Sequence, residues 1–451
     1  MLAEKKYTLE LADFIASSPT AFHAVVSAVE LLKKNGFQQL DEKEVWQKLP
    51  PGKYFVLRND SSLIGFIWQE GATSLEMIGA HTDSPCLKVK PRPVLKNWNC
   101  FQLGVEIYGG ALLRPWLDRE LSLAGRVFWY DTENETGSTK LRSSLIDFKR
   151  PIAIIPNLAI HLNSEANKMQ EVNRQTDMVP LLSLTEEEEP NFLKIIEKQL
   201  RSQSSQNSKD SKDSKDSKDS LPEQICITDH ELFFYDIAPP TLIGLEEQFI
   251  VGARLDNQIS CFAALQALLS ADAAGTDQNC MIILNDHEEV GSTSASGAQG
   301  SFLSDMLERL LPNPEERQVM LRHSLFVSAD NAHALHPNFA DKHDPQHQPL
   351  MNKGPVIKMN ANQRYATNAG TAARFRLLCQ QAEVPVQEFV VRNDMGCGST
   401  IGPLTAAKIG VDTVDVGVPS LAMHSIRETA ACKDCWYLYQ VLRTFFSPEQ
   451  S

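Results

Sequence analysis

Apolar positions change rhythm three times along this chain. Residues 8–34 place apolar side chains at helical spacing, with Leu9, Leu11, Phe14 and Ile15 on one side, which predicts an amphipathic helix. Between 54 and 80, YFVLRND and SLEMIGA predict two strands. From 94 to 240 alternation dominates, as in CFQLGVEIYGG and LSLAGRVFWYD, and long helical repeats are scarce. From about 245 the short runs CMIILND, SLFVSAD and VDTVDVGVP are separated by helical stretches. One of these, LDNQISCFAALQALLSADAAG, is expected to end near Gly275; others cover 366–383 and 428–446.

Strands alternating with helices predict an α/β sheet covered on both faces. SLEMIGA has the texture of the later strands rather than of the middle segment. The predicted fold class is therefore α/β: an α/β/α sandwich built from 1–93 and 241–451, interrupted by a β-rich insertion at 94–240. A tandem of two unrelated domains is the alternative. Four Ser-Lys-Asp copies at 208–219 offer no apolar position to bury, so a solvated, mobile loop is expected there.

Composition narrows the function. A length of 451 residues exceeds one ordinary core. The net charge of −14 argues against nucleic acid, which needs a concentrated Lys/Arg face. Acidic residues break up the opening MLAEKKYTLELADFIASS, and no run approaches the ~20 apolar residues of a membrane span. Nine scattered cysteines suit reduced thiols, so a cytoplasmic location is expected. Cys432 and Cys435 form a CxxC without a second pair, and are read as two thiols on a helix.

Candidate chemistry gathers at the predicted strand ends. SLEMIGA runs into His81 and Asp83, CMIILN into Glu288 and Glu289, and SLFVSA into Asp330; VDTVDVGVP leads to His424. Sites in open α/β sheets form beyond the carboxyl ends of strands, so these positions can meet at one edge. Asp256 opens a helix and can face the same edge. In the His-x-Asp spacing, Asp83 can accept the second ring N–H of His81. Adjacent Glu288 and Glu289 point in different directions, so one can bind metal while the other moves protons. Asp256, Glu289 and Asp330 would repel one another in a cleft without cations. Two divalent ions and one hydroxide balance their charge. Two His and three carboxylates suit zinc, and also manganese or cobalt. No GxSxG elbow, P-loop or HExxH is present. Cys397, in the turn-rich DMGCGST, is read as lining a pocket rather than as a nucleophile.

GAHTDSP, RLDNQ, NDHEEVGS, SADNAHALHPN, GPVIK and MHSIRE, with SPTAFHAV at 18–25 and LAIHL at 158–162, resemble the aspartyl aminopeptidase family of dinuclear metallopeptidases. The resemblance covers nearly the whole chain; the Ser-Lys-Asp copies fall outside it. It implies a proteolytic domain carrying a dimerisation domain at 94–240. It also implies that Asp256 bridges two metals, with His81 and Asp330 on one ion and Glu289 and His424 on the other. Glu288 is implied as general base and Asp83 as the residue orienting His81. A cis peptide is implied after Asp256.

From the residues alone, His161 in apolar LAIHL reads as buried and structural, and Lys358 as a solvated surface group. The resemblance makes His161 a transition-state stabiliser reaching a neighbouring subunit, in a homododecamer built from dimers. It makes Lys358 the cation for an acidic substrate side chain, with His333 lining the same pocket. Relatives often have Pro before the Cys of CGST, where this chain has Gly396, which loosens the backbone of that pocket loop. The implied activity is a zinc aminopeptidase acting on peptides with a free N-terminus, preferring Asp or Glu, without membrane or nucleic-acid partners. Two alternatives stay open: an N-acyl amino acid deacylase of related architecture, and a non-catalytic, metal-stabilised assembly or cargo-binding shell.

Overall fold

The computed structural model describes residues 2–132, 140–163, 165, 167–168, 171–186, 190–210 and 221–447. The chain divides into two compact units, Met1–Ser84 with Pro240–Ser451, and Pro85–Pro239. The first unit is built on a nine-stranded mixed sheet. Its centre is four parallel strands in the order Asn279–Asn285, Leu75–His81, Leu325–Ala329 and Asp412–Gly417.

Side-chain alternation explains why this sheet is buried twice. Ile78, Ala80, Ile282, Leu284, Val327 and Ala329 join one core, packed by the helices Leu2–Ala16, Ala21–Lys34, Leu255–Ala274, Ala369–Gln381 and Cys432–Phe446. Met77, Met281, Ile283 and Phe326 join the opposite core, under Phe302–Leu310, Pro314–His323 and Ile401–Ile409. Period-two strands with both faces apolar are what a helix-covered parallel sheet requires. The sandwich expected from the sequence is therefore present in this unit.

Three local expectations are corrected. The single helix over 8–34 is two helices, broken at Ser17–Thr20. Pro19 disfavours helical geometry in Ser18, and Thr20 caps the second helix by accepting from the His23 amide, a contact worth about 1 kcal/mol. Within the first helix Leu9 is exposed, whereas Leu11, Phe14 and Ile15 are buried, because two residues along a helix is more than half a turn. A third strand, Ser62–Trp68, pairs antiparallel with both Gly52–Arg58 and Asn279–Asn285. The stretch 428–446 opens as a strand, Glu428–Ala431, before its helix begins at Cys432. That strand belongs to a second sheet of the same unit, ordered Thr241–Ile243, Phe249–Gly252, Glu428–Ala431, Pro419–Leu421 and Ala332–His333.

The second unit is a six-stranded antiparallel sheet whose longest pairing joins Leu121–Asp131 to Ile225–Asp236. It also holds the helix Phe192–Asp210, which buries Phe192, Ile196 and Leu200 at helical spacing. The unit starts at Pro85, earlier than residue 94, because the strand Cys86–Asn97 already pairs with Cys100–Tyr108. Ser208–Asp210, the first Ser-Lys-Asp copy, continue the helix instead of forming a loop. The next three copies lie outside the described residues. The LAIHL segment is not buried: Leu158, Ile160 and Leu162 are 58%, 50% and 74% exposed, and His161 is exposed among them.

Candidate metal centre

The four parallel strands end together at one edge of the large sheet, and the candidate residues follow from those ends. His81 closes its strand in register with Asn285. Asp330 follows Ala329, and its amide donates to the Val416 carbonyl at 2.9 Å. That close approach requires Gly417, because a Cβ there would lie 1.8 Å from the Asp330 carbonyl oxygen. Asp256 sits in the first turn of Leu255–Ala274 with non-helical φ/ψ, and its peptide to Asn257 is cis. Three side-chain bonds fix this turn against the strand ends: Ser84 Oγ to the Asp256 carbonyl, Asn257 Nδ2 to the Ala329 carbonyl, and Gln258 Nε2 to the Thr82 carbonyl.

Six of the predicted residues come together in three overlapping groups, His81 with Asp256 and Asp330, Asp256 with Glu289 and His424, and His81 with Glu288 and Glu289, each with ligand atoms within 4.8 Å of one another. His81 Nε2 stands 3.3 Å from Asp256 Oδ1 and 3.4 Å from Asp330 Oδ1. His424 Nε2 stands 3.3 Å from Glu289 Oε2 and 3.9 Å from Asp256 Oδ2. Donors around one tetrahedral ion at about 2.0–2.1 Å stand roughly 3.3 Å apart, so this spacing suits a shared zinc. Asp256 Oδ1 and Glu289 Oε1 are buried and accept no hydrogen bond, which leaves lone pairs for a cation.

Electrostatics point the same way. Burial, then Asp330, raises the Asp256 carboxyl above its ordinary range. Burial, then Asp256, pushes Glu289 well up. Burial, with Asp330, Asp83 and Asp256, pushes Glu288 up to about 8 against the pull of His81. For Asp330 burial is outweighed by the Lys358 ammonium and His81, which hold it below the usual carboxylate range. His81 is raised well above its ordinary value, since Asp256, Asp330 and Asp83 overcome its desolvation. Crowded carboxyls made weaker acids by burial and by one another are the groups that a nearby cation would favour in their charged form.

Asp83 does more than the His-x-Asp spacing suggests. The contact nearest His81 Nδ1 is the Asp83 main-chain carbonyl at 3.1 Å, with the carboxylate at 3.4 Å. The Asp83 carboxylate accepts the Glu288 amide on Oδ1 and the Glu289 amide on Oδ2, both at 3.1 Å. Lys358 is buried, not a surface group: its ammonium meets Asp330 Oδ2 at 3.3 Å and the Asn331 carbonyl at 3.1 Å, over the Tyr365 ring. His333 stays exposed, its ring edge-on to Phe389 at 5.6 Å. His161 lies in the second unit, outside this cluster. Cys432 and Cys435 are buried and unpaired. One residue was missed altogether: Glu428 accepts the amides of both Asp256 and His424. Its place four residues after His424 in MHSIRE was the available signal.

Residues 14–446 match the Aminopeptidase I zinc metalloprotease family, M18. The chain belongs to the M18 family of zinc metalloproteases. A probable M18 family aminopeptidase 2 from Stutzerimonas stutzeri is 50% identical over 443 residues, covering 97% of each chain. Among solved structures, that of an Ape4 and Nbr1 complex superposes with TM-score 0.89 at 38% identity, covering 98% of this chain and 86% of the other. The S. cerevisiae mApe1 dodecamer gives TM-score 0.82 at 27% identity, covering 99% and 98%. The M18 chain is thus a zinc aminopeptidase of mixed α/β fold, as the sequence motifs led us to expect. No helix among its described residues is long and apolar enough to cross a membrane.

Proposed function

We propose that this M18 enzyme removes N-terminal Asp or Glu from peptides, as a cytoplasmic homododecamer with two zinc ions in each chain. The observation that carries the reading is the pair of donor groups sharing Asp256. Asp256 would bridge the ions, His81 and Asp330 would complete one, and Glu289 and His424 the other. When bound, the ions supply Lewis acidity and a water of lowered pKa. Glu288 takes a proton from the attacking water and returns it to the leaving amine nitrogen, so the carboxylate is regenerated each cycle. After burial, two of the carboxylates that push Glu288 up, Asp330 and Asp256, are ones the cations would neutralise. Asp83 fixes the main chain of Glu288 and Glu289, keeping the proton carrier beside the ligand set.

Two further roles complete the proposal. Lys358 uses two N–H donors on Asp330 and Asn331, and the third is available to a substrate carboxylate. His333 lines the same pocket. His161 from a neighbouring copy donates to the carbonyl oxygen as it gains charge. Its exposed apolar setting, and the dodecamer formed by a structural relative, support an assembly in which the Pro85–Pro239 unit makes the dimer contact. A panel of peptides varied at the first residue, each with free and acylated amines, tests the reaction under zinc, manganese and cobalt. Cleavage of free-amine Asp and Glu peptides ahead of neutral ones is expected; preference for the acylated series would favour a deacylase.

A further inference from the structure

We propose that Glu428 is a positioning residue of the metal centre, setting the two ligands Asp256 and His424 through their backbones. The proposal rests on those two residues binding metal. Glu428 is 2% exposed and opens the middle strand of the five-stranded sheet. Its main chain is held from both sides, Gly252 standing opposite Glu428 itself and Leu421 opposite Thr429. From this fixed base, Oε2 accepts the Asp256 amide at 3.0 Å and Oε1 accepts the His424 amide at 2.8 Å. The two amides are 168 residues apart in sequence, so the carboxylate ties two separate segments into one site.

Both ligands need such a tie. Asp256 leaves helical geometry within a helical turn, at φ −84° and ψ 107°. His424 sits at φ 66°, a left-handed conformation that is strained for a residue with a side chain. A bond accepted from its amide holds that conformation where a free loop would relax. Asp83 repeats the device, with one oxygen for Glu288 and one for Glu289. Groups that hold metal ligands from behind change metal affinity by about 10–100-fold when removed.

Glu428→Gln keeps the volume but leaves a single accepting oxygen, so one ligand amide faces an N–H₂ group. Metal-free wild type and E428Q are titrated with zinc against a chelator, cobalt absorption spectra are recorded, and the thermal midpoint of each metal-free protein is measured. The proposal expects E428Q to bind about 10–100-fold more weakly, with an altered cobalt spectrum and a metal-free midpoint close to wild type. Unchanged affinity and spectrum overturn it. So does a metal-free midpoint that falls as far as the affinity loss requires, since Glu428 would then serve the fold alone. If E428Q does not fold, Glu428→Asp carries the test: its shorter carboxylate reaches one amide, and wild-type affinity would overturn the proposal. Wild type binding no zinc would instead sink the ligand assignment itself.

Discussion

The sheet edge of the larger unit and the 158–162 segment of the smaller one solve opposite problems. At the sheet edge, buried carboxylates are fixed by bonds from their own chain: Ser84, Asn257 and Gln258 around Asp256, Asp83 behind Glu288 and Glu289, Glu428 behind Asp256 and His424. Beside these carboxylates stands the buried ammonium of Lys358, on Asp330. At 158–162 the side chains are apolar and exposed, and what is lacking is cover. A contiguous exposed apolar run is what the proposed subunit contact would cover. The difference teaches that the proposed roles divide between the regions, metal binding at the sheet edge and subunit contact at 158–162.

Three changes break or sharpen that contrast, in decreasing size. Glu288→Gln should lower turnover by about 10²–10⁴-fold, with two ions per chain retained on metal analysis, because the role proposed for Glu288 is to move protons rather than to hold metal. Retained activity would remove it as the base. His161→Ala should cost about 10²–10³-fold. Mixing inactive Glu288→Gln subunits with inactive His161→Ala subunits should restore activity, since a mixed assembly unites an intact base with an intact His; no recovery would place His161 outside the reaction. Lys358→Ala should cost acidic N-terminal substrates about 10–100-fold more than neutral ones in kcat/KM, the worth of a charged hydrogen bond. An equal loss on both classes would mean that Lys358 serves Asp330 alone.

Much of the site was legible because parallel strands advertise their ends. Each apolar run terminates at a chemical residue, so His81, Glu289 and Asp330 could be placed at one edge before any coordinates. Pattern reading failed where the decisive partner is far away in sequence. Glu428 looks like part of a helix in MHSIRETAA, yet its role depends on the amide of Asp256. Asp83 was read from its neighbour His81, whereas its carboxylate serves the chain 205 and 206 positions on. Lys358 shows no pattern that reveals burial beside Asp330. LAIHL misled in the opposite sense: apolar composition predicts burial, but in a single copy its residues are uncovered. Ser62–Trp68 was overlooked because six of its seven residues are buried, so it shows no alternation.

The sharing of Asp256 between two donor groups is the central claim, and zinc stoichiometry tests it most directly. Wild type, Asp256→Asn and His424→Ala are loaded with zinc, dialysed and analysed for metal per chain. The account predicts two ions in wild type, one in His424→Ala and none retained in Asp256→Asn, because Asp256 joins the His81–Asp330 group to the Glu289–His424 group. Equal metal loss in the two variants, or a full complement retained by Asp256→Asn, would contradict it.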